Sequence, residues 1–549
     1  MKILARKKFR NSPTIALFLP TVLFISGIRA QRFHSTLPIL FILLALSILS
    51  YACRRKFSRF SQNFSPKIAL VLAFSVLCGV LYYKCRCENG PHVGKLPKRV
   101  NMVCTLVADS ITVRNNRHGI FYGYGTIVNG TKFNDWLANE RVFFSVETSF
   151  CMDIPVRGQK FDVSGILKSV RADSKWWFQK HLGNLQVKWQ ISDGCLLRCR
   201  GSSPPLRLFF KKIFDKFSHT VTVGVGGKEI ESGIMLGMLT GDKRSMAGSL
   251  RAMFSDLGIA HLFAVSGLHI GIIATAIDMF LRILCVRKKC RIFPVLFLLA
   301  LYVNAIGCSQ SSMRALTMVA FYFAATLLGR RPNVLSALTN SALLHTLYDP
   351  FAAFNISFLL SYAAVAGIVL IGLPLKVLLS SIFLNLHGLK IECYPRMFRI
   401  FFKFKGTLIV SFSISLAGYL VSLPLSIEYF GMVPLFTIPL NMLAVPLATA
   451  AIVVGAMSLF LGLCSLWPIC AILNKISCFL IGLFRILSQS MYCEHCCFRN
   501  VEFPVISGTV MTALILVGSY VFFFCRGICD GAHSMDAPSL QSGGDSVPR

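Results

Sequence analysis

Blocks of apolar residues alternate along the chain with short, mostly basic polar stretches. Runs of membrane-spanning length predict helices at about 14–29, 37–52 and 67–83, then near 292–307, 313–329, 333–348, 356–379, 406–426, 434–463, 467–487 and 505–525. Roughly 20 helical residues at about 1.5 Å each cross a hydrocarbon core of about 30 Å. With the run from Ile259 to about Leu284, these make about twelve spans.

Between Glu88 and Pro204 the period changes. Strand-like alternation occupies Val100–Val113, Gly119–Val128, Arg141–Glu147, Lys160–Ser169 and Leu185–Ser192, with Gly, Asn and Asp between the runs. This is the pattern of a small antiparallel β domain, barrel or sandwich. From Leu206 to Phe217 apolar and basic residues recur at helical spacing, which predicts an interfacial helix. Lys228–Thr240 and Ser249–Leu257 read as short helices. The expected organisation is N-terminal helices (1–87), a β domain (88–204), interfacial and short helices (205–258), a helical membrane domain (259–526) and a disordered tail (527–549).

Composition agrees with a polytopic membrane protein: 549 residues, 54% hydrophobic, 15% charged, mean hydropathy +0.64. The formal net charge of +34 would by itself suggest nucleic acid. Much of it is topological, because Lys and Arg gather in alternate loops: Lys2–Arg10, Arg54–Lys67, Arg282–Arg291, Arg330–Arg331 and Lys376–Lys405. The loops near Ser309, Asp349 and Glu428 are nearly free of them. By the positive-inside rule both termini are cytoplasmic and the β domain is outside.

The stretch Ile259-Ala260-His261-Leu262-Phe263-Ala264-Val265-Ser266-Gly267-Leu268-His269-Ile270-Gly271 is apolar, yet it carries two histidines and a serine. Polar groups at membrane depth are costly and tend to mark a pathway. Read as one helix, it sets His261 and His269 roughly 80° apart. With Asp242 or Asp278 they form an incomplete cation-ligand set, so no metal is expected. Ser266 and His269 share a helix face, but no third group orients them for hydrolysis.

This stretch, with the Thr240-to-Arg244 turn before it, resembles the ComEC family of competence proteins. The family pattern is a Leu-Gly-Asp-Arg turn followed by Gly-Leu-Ala-His-Leu-Leu-Ala-Ile-Ser-Gly-Leu-His-Val-Gly; Gly258 to Gly271 match the second part and Lys243 is an insertion in the first. Ser312-Met313-Arg314-Ala315 and Asn441…Pro446 extend the resemblance, while Leu359 stands where glutamine is common. The resemblance implies a channel in the cell's inner membrane that passes single-stranded DNA inward during transformation. It also implies an OB-like outer domain, and a DNA receptor and a helicase or ATPase as partners. Asp242, Arg244, His261, Ser266, Gly267, His269, Arg314 and Asn441 would then line or gate the path. The His-x-His-x-Asp-His cluster of the metallo-β-lactamase-like domain that many members carry does not occur here, so no nuclease activity is carried over. No P-loop pattern occurs either, and neither a cofactor nor an enzymatic role is expected. The alternative function is a small-solute or ion-coupled transporter with an accessory outer domain.

In the β domain, Trp176 and Trp177 lie among Lys175, Lys180 and Lys188. Rings that stack bases beside cations that follow phosphates suit single-stranded DNA; a place in the core or at the membrane interface is the competing role. Cys85, Cys87, Cys104, Cys151, Cys195 and Cys199 fall in the outer segment and are candidates for disulfides. Cysteine labelling from either side of the membrane should place Trp176 outside and Arg396 inside. Finding both on one side would overturn the topology.

Overall fold

The computed structural model describes residues 21–22, 25, 75, 77–82, 99–115, 120–130, 140–148, 155, 158–170, 182, 187–200, 205–242, 246–383, 396–493, 496–499, 501 and 508–519. The expected span at 37–52 and the tail from 527 lie outside these residues, as do Lys175, Trp176, Trp177, Lys180, Arg244, Cys85, Cys87 and Cys151.

Five strands form a closed barrel: β1 (Arg99–Asn115), β2 (Ile120–Gly130), β3 (Arg141–Glu147), β4 (Lys160–Ser169) and β5 (Trp189–Arg200). The order around it is β1-β2-β3-β5-β4, with β4 returning to β1; β3 and β5 run parallel and the other pairs antiparallel. Alternation predicts the first four strands closely but ends the fifth at Ser192. The strand instead continues past Asp193, whose φ of 52° breaks the alternation, and Gly194 resumes the pairing after a register shift. Inside, Phe121, Phe144 and Phe161 meet edge to face with ring centroids 5.4–6.2 Å apart, the arrangement that suits the ring quadrupole. Trp189 is also core, at 4% exposure. A Cβ on Gly165 would come within 2.7 Å of Ile191 and 3.0 Å of the Gly194 backbone, so only glycine lets β4 and β5 approach there.

The barrel keeps the described outer cysteines apart from one another. Cys104 is buried in the core and Cys195 is an exposed free thiol, with β4 between their strands. Cys195 and Cys199 are four residues apart on one strand, about 13 Å at about 3.3 Å per residue, beyond the reach of a disulfide. Burial, reinforced by the nearby Asp162 carboxylate, pushes the Cys104 thiol up to about 12. Asp162 is itself held by the Thr105 hydroxyl and by Arg200 Nε, each at 2.7 Å.

Thirteen helices are described beyond the barrel. They are α1 (Pro205–Thr222), α2 (Glu229–Thr240), α3 (Gly248–Asp256), α4 (Gly267–Ile283), α5 (Lys288–Ala305), α6 (Gln310–Leu327) and α7 (Val334–Tyr348), then α8 (Ile356–Gly367), α9 (Leu373–Phe383), α10 (Arg396–Phe430), α11 (Thr437–Leu463), α12 (Trp467–Ser490) and α13 (Gly508–Ser519). Two short strands, β6 (Met432–Pro434) and β7 (Cys497–Arg499), pair antiparallel. Among the described residues, four stretches are long and apolar enough to cross a membrane: Ile356–Phe383, Ile400–Phe430, Thr437–Leu463 and Trp467–Ser490. The first joins α8 to α9 through a π-turn, Ile368–Gly372. The chain is thus an α-helical membrane protein carrying a small β-barrel.

Helix starts follow the sequence. Ser309, Asn333 and Asn355 each accept from a backbone N–H of the following turn in α6, α7 and α8, satisfying donors that a helix start leaves free. One boundary differs widely: α10 begins at Arg396, although its basic first ten residues read as loop. Met397, Phe398, Ile400 and Phe401 are all exposed there, so this is an amphipathic start whose long cations can reach water while their stems cover apolar surface. In α1 the first half exposes Leu206, Leu208 and Phe209, as an interfacial helix would, while Phe217, Thr220 and Val221 are buried. Small residues set the packing of α11. Side chains on Gly455 and Gly462 would collide with Leu239 of α2 and Thr220 of α1 at 2.8 and 2.4 Å, the close approach that membrane helices exploit.

Iodoacetamide at about pH 8 should alkylate Cys195 in the folded protein and leave Cys104 unmodified until denaturant is added. Mass spectrometry of the two peptides reads the outcome. Equal labelling of both in the native protein would contradict the barrel core.

Candidate functional site at the signature stretch

The signature is approached from α2. That helix ends at Thr240, and Gly241 (φ 78°) turns the chain so that its Cα faces Val265. The Asp242 amide then donates to the Thr240 hydroxyl at 3.2 Å, and the Tyr302 hydroxyl on α5 donates to the Leu239 carbonyl. Asp242 is thereby placed beside the signature. After α3, Gly258 (φ 75°) packs so tightly that a Cβ would lie 2.2 Å from Thr437 Oγ1 and 3.0 Å from Pro434. Thr437 donates to the Leu257 carbonyl at 3.3 Å. Asp256, 5% exposed, receives both contacts of Arg499 Nη2 from β7, at 2.6 and 2.8 Å. The start of α11 and the β6–β7 pair therefore hold the entry turn.

The signature is not one helix, which corrects the sequence expectation. A 3₁₀ turn, Ala260–Phe263, leads through extended Ala264 and Ser266 into α4 at Gly267. The break is a capping box with histidine in the role usual for glutamate. The Ser266 amide donates to His269 Nδ1 at 3.1 Å, and Ser266 Oγ lies 2.7 Å from the same nitrogen. Because Nδ1 accepts, the ring proton sits on Nε2. His269 is fully buried, and that Nε2 has no partner among the described residues. His261 belongs to the 3₁₀ turn; its Nδ1 donates to the Gly258 carbonyl at 3.1 Å and its ring is exposed. The two histidines occupy different elements. With 17 residues, α4 spans about 25 Å, short of a full core. In the non-helical stretch before it, Leu262, Phe263 and Val265 are buried, while His261 and Ala264 are exposed.

Gly267 faces Ala315 of α6, 3.9 Å from its would-be Cβ, which brings the start of α4 against the turn carrying Arg314. Arg314 is 2% exposed. Its Nη2 donates to the Ser357 carbonyl of α8 at 2.7 Å, and its guanidinium lies over the Tyr362 ring at 5.9 Å. A buried hydroxyl chain adjoins it: Thr317 to Ser341 at 2.6 Å and Ser341 to Tyr362 at 2.9 Å. His345 donates to the Ser341 carbonyl at 2.9 Å. Sequence reading missed Ser341, His345 and Tyr362; the i, i+4 pairing of Ser341 with His345 in an apolar helix was the available signal. Asn441, in the first turns of α11, has a buried Oδ1 with no partner among the described residues. Asp278 lies elsewhere, paired with Arg282 and Arg291 at 3.1 and 2.9 Å. No group of three metal-ligating side chains occurs among the described residues.

A family model described as Competence protein matches residues 238–526, just over half the chain. The chain belongs to the competence protein family. The match covers every described residue of this site. ComE operon protein 3 of Bacillus subtilis (strain 168) is 29% identical over 283 residues, 51% of this chain. The matched stretch spans 32% of that relative's length. No solved structure matches.

Outside the matched stretch, the barrel of this competence-family chain carries a second, smaller core on its outer side. Tyr122 and Tyr124 of β2 are half-buried there against Leu182, Val187 and Phe143 of β3, whose ring lies 6.2 and 5.6 Å from theirs, and Arg141 lies over Tyr124 at 5.3 Å. Lys188 is paired with Glu140 at 3.1 Å. The Tyr-Gly-Tyr alternation was the sequence signal for this face.

Gly258→Ala should reduce the yield of monodisperse protein on size exclusion, because its Cβ meets Thr437 and its φ disfavours any side chain. Gly271→Ala, whose Cβ would meet nothing within 4 Å, should leave the yield unchanged. Equal behaviour of the two would remove the argument for a tightly docked entry turn.

Proposed function

We propose that this chain conducts single-stranded DNA inward across the inner membrane during natural transformation. The observation that carries the reading is the signature itself: a family-specific stretch whose buried His269 Nε2 keeps an unpartnered donor. Polar capacity of that kind is expensive in a membrane and tends to serve a path. In this conformation His269 is sealed beneath its cap, so conduction requires the start of α4 to move. The chain has about twelve spans with both termini inside. It acts as a conduit rather than an enzyme, and partners supply the driving force, the DNA receptor and the helicase or ATPase.

The barrel serves as the receiving module. Its order β1-β2-β3-β5-β4 with parallel β3 and β5 is OB-like, and the β2–β3 face of such barrels binds oligonucleotides. Tyr122, Tyr124 and Arg141 supply the rings and cation there, and Lys175, Trp176, Trp177, Lys180 and Lys188 are the further DNA-binding candidates read from the sequence. A small-solute transporter would leave that face without a role.

DNA uptake normalised to membrane protein level tests the conduit. His261→Ala and His269→Ala should each abolish uptake at normal abundance. His269→Gln, which keeps an acceptor for the Ser266 amide, separates capping from conduction: it restores α4 but not full transport. Wild-type uptake in both alanine variants would refute the role given to the signature.

A further inference from the structure

Arg314 is a cation buried without a counter-charge. Four other arginines in the described structure pair with carboxylates: Arg200 with Asp162, Arg291 with Asp278, Arg485 with Glu231 and Arg499 with Asp256, all at 2.6–3.0 Å. Arg314, at 2% exposure, has no such ion pair among the described residues. It gives one bond to a neutral carbonyl, Ser357 O, and its Nε has no partner. A buried charge left uncompensated is strongly destabilising. The surroundings add to the imbalance. Arg314 lies in the first turns of α6 and against the second residue of α8, and both are helix starts with positive dipole ends. The groups facing it are the Tyr362 ring and hydroxyl, and His345, whose Nδ1–H is already committed to Ser341. Among the described residues the acceptors around this cation are neutral hydroxyls and carbonyls.

We propose that Arg314 is an anion-binding residue that takes a single phosphodiester group. The group enters when the α6–α8 contact at Ser357 opens, so that the guanidinium exchanges a carbonyl for a phosphate and Nε gains its missing acceptor. The planar fork of arginine suits two phosphate oxygens at once. Tyr362, joined to Ser341, limits how far the guanidinium swings. That the phosphodiester belongs to DNA rests on the conduit reading; a phospholipid headgroup offers the same chemistry.

The experiment uses the full chain in a non-ionic detergent and follows its thermal midpoint. Three probes are added separately: a short oligothymidylate, its uncharged methylphosphonate analogue, and phosphatidylglycerol. The oligothymidylate should raise the midpoint and the methylphosphonate should not. Arg314→Gln should remove the shift, and Arg314→Lys, which keeps the charge but not the fork, should weaken binding by roughly tenfold or more. Should Arg314→Gln fail to fold, Tyr362→Phe and competition of the wild-type shift by inorganic phosphate report on the same site. A shift with phosphatidylglycerol alone supports the phosphodiester site and assigns it to lipid. No shift with either charged probe, or a shift that survives both Arg314 variants, overturns the proposal. Transport plays no part in this measurement. Loss of the uptake result with a retained shift would therefore sink the conduit and spare the site, and the reverse pattern would do the opposite.

Discussion

The arrangement around the signature depends on where α4 begins, and it begins where His269 folds back onto the amide of Ser266. A helix start leaves several N–H groups without intrahelical partners, and inside a bilayer water is not there to take them. Histidine meets that need with one ring nitrogen and leaves the other unsatisfied. A glutamate at the same position would cap as well and bring a buried negative charge to the start of α4. The imidazole caps without that charge. The extended residues before Gly267 then face Gly241 and the end of α2, and Gly267 meets α6. The turn with Asp242, the 3₁₀ turn with His261 and the turn with Arg314 thus converge on the first turn of one helix.

Much of this was legible in the residues, and what was not has physical reasons. Hydropathy located the long spans because burial in lipid demands nearly unbroken apolar runs. It placed the start of α10 ten residues late because a membrane window rejects the charges at Arg396–Lys405, whereas an amphipathic helix tolerates them. Period-two alternation found four strands of the barrel and lost the fifth at Asp193, where a left-handed residue and a glycine carry the strand across a register shift. The signature was recognised by its residue types but read as continuous. Apolarity says nothing of a break made by one serine and one histidine. Arg314 stood out by family resemblance; the absence of a counter-charge is a property of three helices that no single stretch displays.

Two kinds of interior coexist in the chain. In the barrel, aromatic rings fill the centre and the buried Asp162 carboxylate is matched by a hydroxyl and a guanidinium, while Arg141 Nε and Ser192 Oγ lack partners among the described residues. Around the signature, packing relies on glycine and alanine, and His269 Nε2, Arg314 Nε and Asn441 Oδ1 likewise lack partners among the described residues. Unsatisfied polar atoms favour a second arrangement that satisfies them. The helices around the signature therefore have an alternative state within reach.

The bond between Arg499 and Asp256 joins residues 243 positions apart. At about 5–20 residues per second, a ribosome needs roughly 10–50 seconds to travel from one to the other. During that interval Asp256 has been made but its partner has not, and β6 waits for the strand it will pair with. The turn leading into α4 enters the bilayer before its clamp exists. Maturation of the site is thus a late event in the life of the nascent chain, timed by the arrival of a short segment after α12.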